Sequence, residues 1–247
     1  MAPNISLMPI KSLNSGGVGN TGNLTAAITY AVNNGADVIN MSLGAYGTCS
    51  PVMQNAVNYA NANGVVVVVA AGEGFPRQID KADKWPLCDH VISVTSTDNF
   101  NNSAHYSDEV NTNDLAAPGG DQAPGGHLGS FPIFSTLIGN TFSTAIGTSF
   151  AAPHVSGCAA LMKTLNSTLG ADLIQSKMEI SALDLTDSGY ILNNATVGKD
   201  KVFGWGLIKC DAALIAALDA NSPTFTIQYY ADSNLTTSLG DNPKLKA

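Results

Sequence analysis

Residues 65–71 read VVVVVAA. The run has no polar position, so neither of its faces is built for water. A short, β-branched run of this kind is a strand buried on both sides, the position strands take in a parallel sheet covered by helices. Working outward, residues 52–62 carry apolar positions three and four apart and predict a helix, and ADVINMSL at residues 36–43 predicts a second β-branched strand. Further upstream, residues 24–32 have helical spacing and residues 5–13 alternate as a strand does. The order β-α-β-α-β predicts an α/β fold, a three-layer α/β/α sandwich with a mainly parallel central sheet. Ligands of such sheets collect at the carboxyl ends of the strands, which singles out SLGAYG at residues 42–47 and AAGEGF at residues 70–75.

Downstream, HVISVTST at residues 90–97 predicts another strand, and APGGDQAPGG at residues 117–126 reads as a surface turn. Helices are expected over residues 149–165, 171–182 and 211–218. Residues 222–247 are polar and poorly periodic, so the chain divides into a domain over residues 1–221 and a C-terminal extension that reads as an edge strand or as disordered.

The chain has 247 residues, 45% of them hydrophobic, enough to bury a full core. Its 11 basic residues against 19 acidic ones give a net charge of −8, which argues against a nucleic-acid partner. Only 12% of residues are charged while Gly, Asn, Ser and Thr abound, a balance that suits a secreted enzyme. No basic start leads into an apolar core of signal-peptide length, and no apolar run is long enough to cross a bilayer, so no membrane partner is expected. The cysteines, Cys49, Cys88, Cys158 and Cys210, fit no zinc spacing. Cys49 and Cys88 fall in expected loops and are the preferred disulfide, whereas Cys158 in its Ala-rich stretch reads as a small buried hydrophobe.

GVGNTG at residues 17–22 satisfies G-x-G-x-x-G between an expected strand and helix. A dinucleotide site needs an acidic residue at the end of the second strand; here Asp37 lies at its start, and Asn40 and Ser42 hold the far end. The glycines therefore read as a turn into a helix.

GTSFAAPHVSG at residues 147–157 carries a different signal. It fails the nucleophile-elbow pattern G-x-S-x-G at its last position, Ala151. It closely resembles the nucleophile signature of the subtilisin-like serine peptidases, the subtilases, in which the serine opens a helix. Further segments resemble the same family in the same order: MAPNISLMPIKSL at 1–13, ADVINMSLGA at 36–45, VVVVVAAGEG at 65–74, DLAAPG at 114–119 and GWGLIKCDAAL at 204–214. A helix N-terminus independently suits Ser149, since its free amides and positive dipole end stabilise an oxyanion. Pro153 is expected among the first amides of that helix, which have no intrahelical partner.

The resemblance implies a serine endopeptidase acting on peptide or protein substrates, with Ser149 forming the acyl-enzyme and Thr148 supporting the nucleophile loop. It implies that Ser42, Leu43 and Gly44 pair with substrate backbone and that Ala70, Ala71 and Gly72 wall the specificity pocket, small residues leaving room for a large side chain. A structural calcium is known among relatives, and Asp98 is its candidate ligand here against the plainer reading of a solvated turn aspartate. Asn23 and Asn194, in N-x-S/T triplets, are expected by chance in so Asn-rich a chain.

Two features depart from the family. Its triad runs Asp, His, Ser along the chain, and the first two lie upstream of the A-P-N segment with which this sequence begins, so the family's first strands and helix are expected to be missing too. His154 is five residues past Ser149, about 140° around the helix and about 7.5 Å along it, so it faces away and reads as structural. His90, His105 and His127 lie where the family has no catalytic residue. Second, the family's oxyanion asparagine follows A-A-G, where this sequence has Glu73. Losing one such donor costs about 100- to 1000-fold and losing the triad as a unit about a millionfold, so the chain alone is expected to be nearly inactive. Either Met1 is an internal methionine and the upstream partners lie beyond it, or this is a degenerate subtilase that binds peptides without cutting them. The start within a motif favours the first reading and Glu73 the second.

Overall fold

Strand β2 (Val66–Ala70) is the middle of a layered domain, and its valines alternate between two cores. Val66 and Val68 point into one, Val65, Val67 and Val69 into the other, none more than 4% exposed. This is why the run needs no polar face: successive side chains leave the strand on opposite sides, and both sides are covered. Each buried valine contributes about 1.5 kcal/mol or more.

The computed structural model describes residues 2–74, 78, 83–122, 132–186 and 195–218. Within them β1 (Val38–Met41), β2, β3 (Ile92–Thr97) and β4 (Leu115–Pro118) form one parallel sheet in chain order, with Val38 beside Val66, Val68 beside Ile92 and Val94 beside Leu115. On one face lie α1 (Thr21–Asn33) and α2 (Pro51–Ala62), which set Ile28, Met53, Val57 and Ala60 against the odd-numbered valines. On the other lie α3 (Thr148–Leu165), α4 (Ala171–Ser181) and α5 (Cys210–Ala217), with Val155, Met162, Ile174 and Met178 fully buried. The expected three-layer α/β/α architecture is thus present, with α3 crossing all four strands. Residues 222–247 and His127 lie outside the described residues.

Several local expectations differ. Residues 5–13 form no strand: they pair with no neighbour, and Leu7 is 90% exposed. Alternation alone makes no strand without a ladder partner. Residues 117 and 118, read as the start of a turn, instead close β4, a four-residue strand ending in proline, which a sheet tolerates at its margin. An antiparallel hairpin, β5 (Ile133–Leu137) and β6 (Thr141–Ala145), was not expected at all. Its turn carries Gly139 and Asn140 at φ 83° and 57°, the left-handed pair that hairpin turns select.

Both cysteine pairs are bridged. Cys49–Cys88 is the expected disulfide. Cys158 is buried but is no simple hydrophobe: it is bonded to Cys210, joining α3 to α5 across a Cα separation of 5.6 Å. Burial explains the apolar stretch around it, and the packing of α5 on α3, which sequence spacing does not reveal, explains the bond.

The turn before α1 reads as expected. Asn20 caps the helix by accepting the Asn23 amide at 2.8 Å, and Gly17 sits at φ 73° in the preceding turn.

Candidate active site

α3 begins where three loops converge. Gly147 caps it at φ 151°, and a Cβ there would stand 2.5 Å from a carboxylate oxygen of Glu73, so only glycine fits. The Gly147 amide donates to the Gly119 carbonyl at 3.1 Å, which ties the nucleophile loop to the turn leaving β4. Tyr106, 1% exposed, braces that turn by donating to the Gly120 carbonyl at 2.7 Å, and burial pushes its phenol well above the usual range. Ser149 is therefore presented on the first turn of a long helix whose opening amides have no helical partner.

The Ser149 hydroxyl is only loosely held, its one contact among the described residues being 3.5 Å to the Ser42 carbonyl. Its carbonyl is held firmly: Ser42 Oγ donates to it at 2.7 Å. That bond corrects the expectation for Pro153. The helix starts at Thr148, so Pro153 lies inside it, where its missing N–H would have donated to the Ser149 carbonyl. Ser42 supplies the donor that proline removes. Ser42 in turn accepts from Asn40 Nδ2 at 3.0 Å, and Ser156 Oγ donates to Asn40 Oδ1 at 2.9 Å. Asn40 entered the sequence reading only as the wrong residue for a ribose, and Ser156 not at all, although a polar residue near the end of an otherwise apolar strand was a usable signal.

Thr148 is fully buried, with Oγ1 3.4 Å from the Gly72 amide and 3.3 Å from Glu73 Oε1. Glu73 Oε1 also accepts the Ser149 amide at 3.3 Å. Ala70 and Ala71 are 4% and 0% exposed and face the core; Leu43 packs at the edge of the α1–α2 core, and Gly44 is exposed. The space against Gly44 and Gly72 is not empty: the Asp83 carboxylate overlies Gly44, and Asp108 Oδ2 lies 2.6 Å from where a Gly72 Cβ would stand. Burial raises the Asp108 carboxyl to about 6, countered by a bond from the Gln78 amide and assisted by the charge of Asp83, whose own carboxyl is raised by burial and then by Glu73. Tyr46 completes the group at 3.4 Å from Asp108.

No described histidine bonds to Ser149. His154 Nδ1 donates to the Phe150 carbonyl at 2.9 Å, and burial lowers its basicity. His90 pairs with Asp172 at 2.9 Å, and His105 with the buried Asp121. Asp98 is 3% exposed and spends both oxygens on its own turn, accepting the Phe100 amide at 2.8 Å, the Asn102 amide at 2.9 Å and Asn102 Nδ2 at 3.0 Å. Its carboxylate thus caps its own turn, as the plainer reading of a turn aspartate has it.

The subtilase family model matches residues 1–206. The chain is 36% identical over 214 residues to subtilisin DY of Bacillus licheniformis, covering 86% of this chain and 69% of that protein. It is 33% identical over 219 residues to alkaline elastase YaB of Bacillus sp. (strain YaB), covering 86% of this chain and 49% of the relative, so it spans about half the length of that protein. Among solved structures, a lanthipeptide protease superposes with a TM-score of 0.72 at 26% identity over 88% of this chain and 72% of its own. A protease from Pseudoalteromonas arctica PAMC 21717 does so with a TM-score of 0.67 at 32% identity, over 81% of this chain and 60% of its own. Fold, motif order and these similarities agree: the chain belongs to the subtilase family.

Proposed function

We propose that this chain carries the nucleophile half of a serine endopeptidase, in which Ser149 Oγ attacks a peptide carbonyl and forms the acyl-enzyme. The observation that carries the reading is Ser149 itself: a loosely held hydroxyl on the first turn of α3, its carbonyl pinned by Ser42 and its loop fixed through Gly147 to Gly119. Attack needs a base to take the hydroxyl proton and a carboxylate to orient that base. His90, His105 and His154 are engaged elsewhere and His127 lies where the family has no catalytic residue, so we infer that none of this chain's own histidines is the base and that the chain by itself is nearly inactive. Thr148 steadies the loop from beneath. Ser42, Leu43 and Gly44 accept substrate backbone as an added strand. Gly44 and Gly72, backed by Ala70 and Ala71, line the pocket beside the Asp83 and Asp108 carboxylates.

A non-catalytic peptide-binding domain on the same groove is the second reading, favoured by Glu73 at the position of the family's amide donor. The substrate in either case is a peptide or protein; a net charge of −8 disfavours nucleic acid, and no described helix is long and apolar enough to cross a membrane. Two disulfides and the low charge content support an extracellular setting. A fluorophosphonate probe tests the choice: an adduct on Ser149 in the 247-residue chain would sink the inert reading. No adduct on this chain, but an adduct once an Asp- and His-bearing segment is supplied, supports the peptidase.

A further inference from the structure

Glu73 does more than stand where a donor is missing. Its backbone is fixed on both sides, by a bridge to Ser107 and by the Gly74 amide donating to the Tyr106 carbonyl at 3.1 Å, so the side chain is aimed at the start of α3. There Oε1 meets two converging donors, the Ser149 amide at 3.3 Å and the Thr148 hydroxyl at 3.3 Å. Gly147 admits the carboxylate because it has no Cβ, which would stand 2.5 Å from the same oxygen. The groups facing Glu73 are Tyr46, Asp83 and Tyr106, acidic or neutral, and among the described residues no cation pairs with it. Among the described residues, the donors that meet this oxygen are those of the helix start, the feature that stabilises an oxyanion.

We propose that the Glu73 carboxylate occupies the anion hole at the start of α3 as an internal stand-in for the substrate oxyanion, so that Glu73 and an anionic ligand compete for the Ser149 amide. Glu73 itself is solvent-exposed, so rotation of its side chain vacates the hole without disturbing the core. An oxyanion forms beside Ser149 only when Glu73 swings out. The contact exists whatever the chain's activity; its consequence for peptides rests on the groove proposed above.

The test uses the 15N-labelled 247-residue chain and E73A, with acetyl-tetraalanine bearing a free carboxylate as the product-like ligand and its C-terminal amide as control. The Ser149 amide resonance is expected to differ between the parent chain and E73A, and to move back toward its parent position when the free-carboxylate peptide is added to E73A. The free-carboxylate peptide is expected to bind E73A at least tenfold more tightly than the parent chain, while the amide-capped peptide changes by less than about twofold, in line with the weight of one anion-hole donor. A Ser149 amide resonance that is the same in the parent chain and E73A overturns the proposal, as does equal binding of the carboxylate peptide by E73A and the parent. If neither peptide binds any variant, the proposed groove fails, and the Ser149 resonance in the parent chain and E73A alone still decides where Glu73 sits.

Discussion

Replacing Ser42 by alanine probes how the nucleophile loop is held. The substitution removes the 2.7 Å bond to the Ser149 carbonyl and the acceptor for Asn40 Nδ2 at 3.0 Å. Because Pro153 has no N–H, no helical donor replaces Ser42, and a carbonyl left without a partner costs about 1–3 kcal/mol. Ser42→Ala should thus destabilise the fold by about 2 kcal/mol, a fall of about 0.7 M in the urea midpoint at a slope of about 3 kcal/mol per M. In a Pro153→Ala background residue 153 gains an amide that can bond the Ser149 carbonyl, so the same substitution should cost about 1 kcal/mol less. The assay is urea unfolding of the parent, both single variants and the double variant, read as a double-mutant cycle. Additivity within about 0.3 kcal/mol would refute the claim that Ser42 substitutes for the donor that proline withholds.

The Cys158–Cys210 bond closes a loop with a separation of 52 residues, so C158A/C210A should lose about 2–4 kcal/mol in the same assay, and labelling of thiols in the parent should require a reductant. Asp108 has a folded-state pKa raised from 3.8 to about 6, so the folded state holds this proton more tightly than the unfolded state; its contribution is full below about pH 4 and lost as pH rises through 6. The melting temperature of the parent should therefore fall between pH 4 and 7 by more than that of D108N. With Asp83 and Asp108 against Gly44 and Gly72, a peptide presenting arginine to that pocket should bind more tightly than its glutamate counterpart, and D83N should narrow the difference, measured by calorimetric titration. His154→Gln should leave Ser149 labelling in the complemented protein within about threefold of the parent, because its ring serves the Phe150 carbonyl; a loss of a hundredfold or more would make it the base.

What the sequence revealed and what it concealed divide along physical lines. The β2 valines announced a two-sided core because every position on a doubly covered strand must be apolar, and α2, α3 and the mainly parallel sheet followed from period and length. The segment at residues 5–13 misled because alternation describes a face, not a partner. β4 was hidden by its length and its proline, and the β5–β6 hairpin by polar, exposed strands whose Gly139–Asn140 turn was the usable signal. At the site, Ser149 and Thr148 were legible as a motif. The Asn40–Ser42–Ser149 chain was not, since it joins residues 107 apart in sequence through a sheet end and a helix start. Nor was the Cys158–Cys210 pairing, which depends on how two helices pack. The identity of Glu73 was visible from the outset; that its carboxylate reaches the Ser149 amide follows only from the geometry of two loops.

The central claim, that Ser149 is a peptidase nucleophile whose base lies outside the described residues, meets its most direct test in intact-mass detection of a fluorophosphonate adduct. The 247-residue chain, its Ser149→Ala variant, and the chain supplied with an Asp- and His-bearing N-terminal subtilase segment are compared. The account predicts no adduct on the chain alone and a single adduct, on Ser149, in the complemented protein. An adduct on Ser149 in the chain alone, or none in the complemented protein, would contradict it.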